Sequence, residues 1–411
     1  MGCCIRGRVT QWHDGAVTLE SPLPVDTVTA IHATPHKMVA AFAGAGSQAL
    51  AWLHGVGGSS RTILSAIDIY APRSMEALLG FTPARFTSRR VARLMAARAY
   101  DLARAYRDEG SADPVFGLGL TATIATDRAK RGDHRAAVAV KDGLGVVTYD
   151  LTIAKGERDR AGEENLVSLL WLQAVAEACG VFGTPALPLV GAEALRIEYH
   201  PSDLLAACAA GERPLAVVRP DGRVVTSVHG GGSTVLSGSF NPVHAGHLGL
   251  AEAAAARTGL PVLFELPLLN AAKAPIGLVE ARRRALQFGG VGPIALTRSP
   301  LFEQKAELLP GSVFVVGVDT AERVVDPRFY DGDRERMLAS LSTIRRHGCR
   351  FLVAGREAAG RFRTLAQVAV PAGYGDLFEA LDEDEFRVDV SSTEIRNGWV
   401  DTPAGSRPDA R

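Results

Sequence analysis

Apolar positions along the chain alternate between short unbroken runs and longer stretches carrying an apolar stripe. The runs at residues 116–124, 136–140, 233–236, 313–316 and 351–354 read as strands, that at 233–236 as a buried one. Residues 87–107 are rich in Ala and Arg with apolar side chains on one face, and predict a helix. Residues 163–178 predict a second helix ended by Gly180, and residues 248–258 an Ala-rich one ended by Gly259. Strand and helix in succession predict an α/β protein. The pattern breaks over 181–231, which holds several prolines, the start of Gly230-Gly231-Gly232, and a hairpin-like piece turning at Pro220-Asp221-Gly222. Two domains are therefore expected, at 1–180 and 232–400, joined by a connecting segment at 181–231. The tail 401–411 has the composition of a disordered end.

Composition supports this division. At 411 residues the chain is too long for one ordinary domain. An apolar fraction of 47% and a charged fraction of 22% describe a globular protein. Basic and acidic residues balance at 45 each, which argues against a nucleic-acid partner needing a broad basic surface. Cysteines at 3, 4, 179, 208 and 349 lack metal-ligand spacing, so reduced thiols and a cytoplasmic location are expected, with no dedicated metal site. No apolar stretch reaches membrane-spanning length, so no membrane partner is expected. Met1-Gly2-Cys3-Cys4 hints at acylation, but Arg6 stands where that motif needs Ser or Thr.

The densest chemistry lies between the strand at 233–236 and the helix at 248–258. The run is Gly238-Ser239-Phe240-Asn241-Pro242-Val243-His244-Ala245-Gly246-His247. Two imidazoles three apart sit where a strand gives way to the first turn of a helix. Backbone N–H groups there lack partners and the helix dipole is positive, which suits a phosphate. Gly238 and Gly246 let a ligand approach the backbone. Taken alone, the histidines could equally cap the helix or lie on the surface. The whole run resembles the signature of the nucleotidylyltransferase superfamily, whose members move a nucleoside monophosphate from ATP or CTP onto a phosphate. Class I aminoacyl-tRNA synthetases carry a related histidine motif, but their lysine-rich second motif is missing here.

A second run, Val390-Ser391-Ser392-Thr393-Glu394-Ile395-Arg396, follows the apolar stretch 386–390. Ser391 or Ser392 would cap a helix whose first turn carries Glu394. The run is similar to the Ser-Ser-Thr-x-Ile-Arg motif of nicotinate/nicotinamide mononucleotide adenylyltransferases. The resemblance implies a Rossmann-like, doubly wound parallel sheet and places Ser391, Ser392, Thr393 and Arg396 on the ATP phosphates. It also implies phosphate binding by His244 and His247, a cationic role for Lys273, and nucleotide contacts from Ser239, Phe240, Asn241, Gly246, Gly317 and Asp319. Asp319 could instead be a helix N-cap. Gly355-Arg356 looks like the loop after the next strand. Mg²⁺ would arrive with ATP, held by phosphate and water. The acceptor would attack in line, with rate supplied by positioning and electrostatics.

The first half has its own resemblance. Gly58-Ser59-Ser60, Tyr70, Ser74-Met75-Glu76-Ala77-Leu78-Leu79-Gly80, Ala122-Thr123 and Gly156-Glu157-Arg158-Asp159 look like the C-terminal domain of CinA over about residues 36–178. That family includes nicotinamide-nucleotide amidases, which attack with a serine in a Glu-Ser-Cys-Thr-Gly-Gly run. Here the run is Phe42-Ala43-Gly44-Ala45-Gly46-Ser47, with Ala43 in the serine's place and Ser47 displaced by four positions. A serine needs activation by neighbours. Of those, Tyr70 remains and no lysine lies between Ala43 and Tyr70, Arg61 being the nearby cation. The resemblance thus implies a retained fold with lost hydrolysis, and an association between copies through this domain.

Three functions remain open from sequence. The first is adenylyl transfer to a pyridine mononucleotide. The second is the same chemistry with another phosphorylated acceptor or with CTP. The third is a nucleotide sensor with little turnover.

Overall fold

The computed structural model describes residues 24–127, 132–228, 230–269, 274–358, 361–382 and 386. Two sheets organise them. The first contains β1 (Lys37–Ala43), β2 (Ile63–Asp68), β3 (Val115–Thr123), β4 (His134–Asp142), β5 (Gly145–Ile153) and β6 (Ala194–Pro201), in the order β2-β1-β3-β4-β5-β6. β1 runs parallel to β2 and β3, and the remaining neighbours are antiparallel.

Helix Arg89–Tyr106 covers one face of this sheet; the Ser88 hydroxyl caps it, accepting from the Val91 amide at 3.3 Å. Its fully buried stripe, Ala92, Ala96, Ala99 and Ala103, recurs at helical spacing and lies on β3. Gly117 and Gly119 of β3 make the contact this close. A Cβ on Gly119 would stand 2.2 Å from the Ala92 carbonyl oxygen, and one on Gly117 2.1 Å from the Tyr100 amide nitrogen. Helix Arg160–Ala178 covers the other face beside helices Val25–His32 and Ser47–Gly55. It is buried on most sides, which is why its sequence carries little amphipathic contrast.

The second sheet contains β7 (Leu215–Val218), β8 (Val224–Val225), β9 (Thr234–Ser237), β10 (Val262–Pro267), β11 (Ile294–Thr297), β12 (Val313–Gly317) and β13 (Arg350–Ala354). Strands β14 (Arg356–Ala358) and β15 (Arg361–Arg363) form a separate hairpin, and β16 (Phe378–Leu381) returns to the sheet. The order is β16-β13-β12-β9-β10-β11-β7-β8. Strands β9 to β13 and β16 are mutually parallel. Counted from β9, their order is 3-2-1-4-5-6, the doubly wound arrangement. Helices Ala245–Thr258 and Leu278–Leu286 cover one face, and Phe302–Leu308, Val318–Val324 and Arg334–Arg346 the other. With both faces covered, the central strands read as unbroken apolar runs rather than alternating ones.

The stretch 181–231 does more than connect. β6 pairs with β5 over eight residues at the edge of the first sheet. β7 pairs antiparallel with β11 and forms a hairpin with β8 at the edge of the second. Each sheet therefore takes an edge from this one stretch.

Candidate active site

A doubly wound sheet offers its ligand crevice at the carboxyl ends of the strands where the order reverses, here between β9 and β12. β9 ends at Ser237, and the Gly238–His247 run follows at once. The helix starts at Ala245, three residues before the apolar pattern predicts, because His244 adopts the extended backbone of an N-cap, with φ −147° and ψ 170°. Ala245 and Gly246 thus hold the first two helical positions, where N–H groups have no intrahelical acceptor. His247 is the third helical residue.

The imidazoles of His244 and His247 lie with centroids 3.8 Å apart. The His244 backbone N–H donates to His247 Nδ1 at 3.3 Å, so a neutral His247 carries its proton on Nε2. Burial, and then the neighbouring His244, lower the His247 pKa to about 4. Burial lowers that of His244 as well. At neutral pH both rings are neutral, so they offer N–H donors rather than charge, and burial strengthens such bonds.

Helix Leu278–Leu286 and the residues just after it grip the loop. Arg284 Nη1 donates to the Ser239 carbonyl at 2.8 Å, and Arg283 donates to Asn241 Oδ1. Gln287 donates to the Phe240 carbonyl at 3.0 Å and accepts from the Val243 amide at 2.9 Å. Phe288 packs edge-on against Phe240, ring centroids 5.0 Å apart. Phe240 has φ +45°, a left-handed conformation rare for a bulky residue, and its ring is wholly buried among Phe264, Phe288 and His247. The aromatic cluster holds that backbone in place. Phe240 therefore has only its backbone to offer a nucleotide. Gly238 is needed beneath it, since a Cβ there would fall 2.7 Å from Phe240 Cε1.

Residues 235–398 match the family described as cytidylyltransferase-like. The matched stretch is a nucleotidyltransferase-like domain. The N-terminal part is similar to solved structures of the competence/damage proteins. With the competence/damage inducible protein CihA from Agrobacterium tumefaciens the identity is 19%, over 36% of this chain and 92% of that chain, with a TM-score of 0.30. With a competence or damage-inducible protein from Enterobacter asburiae it is 13% over 36% and 92%, at 0.28. With a CinA superfamily protein from Enterobacter cloacae it is 14% over 41% and 99%, at 0.28. No curated protein matches the chain.

On the far side of the nucleotidyltransferase crevice, Gly317 caps helix Val318–Val324 and Asp319 lies in its first turn. The Asp319 carboxylate accepts from Arg356 at 2.7 Å and Arg363 at 3.3 Å, tying the β14–β15 hairpin to this helix. Lys273, Ser391, Ser392, Thr393 and Arg396 lie outside the described residues. Phe386, five residues before Ser391, lies beside Gly249, which follows His247 by two residues on the same helix. Among the described residues no group of three His, Cys, Asp or Glu side chains could hold a metal ion. No described helix is long and apolar enough to cross a membrane.

Sequence reasoning missed the residues that grip the loop. Arg283, Arg284, Gln287 and Phe288 stand more than 40 positions from the residues they hold, and an arginine run on a helix reads as a solvated face. It also missed a buried ion pair under the crevice. Lys305 donates to Glu265 at 2.7 Å and to Ser237 Oγ at 3.1 Å, while the Thr297 hydroxyl donates to the other Glu265 oxygen. Glu265 is fully buried and Lys305 nearly so.

In the first domain Ala43 closes β1 without a hydroxyl. Ser47 opens the next helix, and its Oγ donates to Glu164 at 2.9 Å. The same Glu164 oxygen accepts from the amides of Gly46 at 2.9 Å and Gln48 at 3.3 Å. A carboxylate of the protein thus fills the anion-attracting start of this helix. Tyr70 stands exposed.

Proposed function

We propose that the nucleotidyltransferase domain moves AMP from ATP to the phosphate of nicotinate or nicotinamide mononucleotide, releasing pyrophosphate. The observation that carries the reading is the His244–His247 pair, set at a helix start beside the switch point with His247 fixed as an Nε2–H donor. An oxygen of the acceptor phosphate attacks the α-phosphorus in line, and the bond from that phosphorus to the β-bridging oxygen breaks. Neutral N–H donors of His244 and His247, with the amides of Ala245 and Gly246, accept the charge that builds on the α-phosphate oxygens. In the resemblance that names them, Ser392, Thr393 and Arg396 hold the β- and γ-phosphates that leave as pyrophosphate, Ser391 contacts the nucleotide beside them, and Lys273 adds positive charge near the reacting phosphates. Mg²⁺ enters with the nucleotide.

The choice of a pyridine mononucleotide rests on the Ser391-to-Arg396 motif and on the first domain's resemblance to nicotinamide-nucleotide amidases. In this reading the first domain no longer hydrolyses amides, since Ala43 replaces the nucleophile and Ser47 is bonded to Glu164.

The test is pyrophosphate release from ATP and from CTP with Mg²⁺, each offered nicotinate mononucleotide, nicotinamide mononucleotide and phosphopantetheine. Turnover is expected with ATP and a pyridine mononucleotide. His247→Ala should lower it by about 10²–10³, or roughly 3–4 kcal/mol of barrier, with the fold unchanged. An active His247→Ala protein refutes the mechanism. Turnover with CTP or phosphopantetheine alone reassigns the substrates, and silence with every pair in a protein that still binds ATP moves the reading to a sensor.

A further inference from the structure

Helix Leu278–Leu286 faces two ways. Through Arg283 and Arg284, and through Gln287 and Phe288 just beyond its end, it holds the backbone or side chain of Ser239, Phe240, Asn241 and Val243. Through Arg282 it enters the first domain. The Arg282 guanidinium donates to Asp142 Oδ2 at the β4–β5 turn, and lies over the Tyr199 ring of β6 with 5.5 Å to its centroid. Asp142 Oδ1 is itself fixed by the amides of Leu144 at 2.9 Å and Gly145 at 3.0 Å. Both partners are buried, Arg282 at 7% exposure and Asp142 at 6%. The turn after the helix is seated too: a Cβ on Gly289 would stand 2.7 Å from His36, and one on Gly290 2.7 Å from Pro35.

We propose that Arg282 is a positioning residue for the nucleotidyltransferase, and that the docked first domain sets the geometry of the phosphate-binding loop. The proposal rests on the function given above. Packing alone does not call for an ion pair at this place, since an apolar pair of similar volume commonly holds an interface as well. What the pair adds is direction. A guanidinium held by one fixed carboxylate and one ring face allows a narrow range of rotation of its helix. A rotation at Arg282 moves Arg283, Arg284 and Gln287 with it, and a loop displaced by about 1 Å costs up to about 10²-fold in turnover.

The experiment compares the full chain with Asp142→Asn, which keeps an oxygen for the Leu144 and Gly145 amides, with Arg282→Met, and with the swap Asp142→Arg/Arg282→Asp. Trp52→Phe, in the first domain's core, controls for general loss of stability. Amide hydrogen exchange over residues 238–247 is read without nucleotide, so this arm does not depend on the reaction. Asp142→Asn and Arg282→Met should speed exchange there about tenfold and lower kcat about tenfold, with KM for ATP within about twofold. The swap should restore part of both, and Trp52→Phe should change neither. Unchanged exchange at 238–247 in both single variants, whether or not residues 282–290 loosen, overturns the coupling. A wild-type protein silent with every substrate pair sinks the functional reading instead, and the exchange result still decides the coupling.

Discussion

Replacing Glu265 with Leu gives the sharpest test of how the crevice floor is held. The substitution leaves Lys305 nearly buried with Ser237 Oγ, at 3.1 Å, and the Phe302 ring, 5.2 Å to its centroid, as its remaining described partners, neither of them charged. It also takes the acceptor from the Thr297 hydroxyl. Breaking a buried pair from one side costs about 3–5 kcal/mol, because the remaining charge is neither solvated nor paired. The stranded hydroxyl adds about 1 kcal/mol. For a domain of this size, 4 kcal/mol corresponds to a fall in Tm of about 10 °C. Removing both charges, as in Glu265→Leu/Lys305→Met, should recover most of the loss, since no ion is left in the interior. Urea unfolding followed by far-UV circular dichroism measures the change. Trp52 and Trp171 lie in the first domain's core, so fluorescence in a Trp12→Phe/Trp399→Phe background reports whether that domain stays unaffected. A single variant within 1 kcal/mol of the wild type, or a double variant no better than the single, would refute the reasoning.

Two further outcomes follow from the site and the domain contact. Gly238→Ala forces a Cβ against the immobile Phe240 ring, so it should cost about 1–3 kcal/mol and reduce pyrophosphate release more than tenfold; wild-type turnover would show that the loop yields without penalty. His36 is buried between the domains, where burial and then the Arg282 charge lower its pKa to about 4, against a weaker opposing effect of Asp113. The folded protein thus binds this proton less well than the unfolded chain does, so the stabilisation is complete above the ordinary value near 6.5 and is lost as pH falls toward 4. The full shift is worth about 3 kcal/mol, and His36→Gln should flatten the acid limb of a urea-midpoint profile by that order. Parallel profiles for the two proteins would contradict it.

What the sequence makes legible is local. The strand at 233–236, the glycine-bounded helix after it and the histidines between them are all read from contiguous residues, and the structure moves the helix start by three positions through the His244 cap. The apolar runs give the second domain's strands, while its doubly wound order came only as what the resemblance of the two motifs implies. The features that escaped are made by residues distant in sequence. Lys305 meets Ser237 across 68 positions and Arg282 meets Asp142 across 140. Nothing in the composition near either residue marks it as buried, because lysine and arginine are ordinarily exposed. The stretch 181–231 reads as a connection for a related reason. β6 and β8 are edge strands, which need satisfy only one neighbour, so their apolar pattern is weak, as in the half-exposed β6; the buried β7 between β11 and β8 is only four residues long.

That stretch sets how the chain can be divided. A cut at residue 180 takes β6 from the first sheet and leaves β5 as a bare edge, open to pairing with another chain. A cut at residue 232 takes β7 and β8 from the second sheet and uncovers β11 in the same way. During synthesis the first sheet is complete only once residue 201 has left the ribosome, and the next strand to emerge already belongs to the second sheet. The unit of folding and the unit of sequence resemblance therefore have different borders. A fragment able to stand alone would end or begin around helix Asp203–Ala210, the first element past the last strand of one sheet and before the first strand of the other.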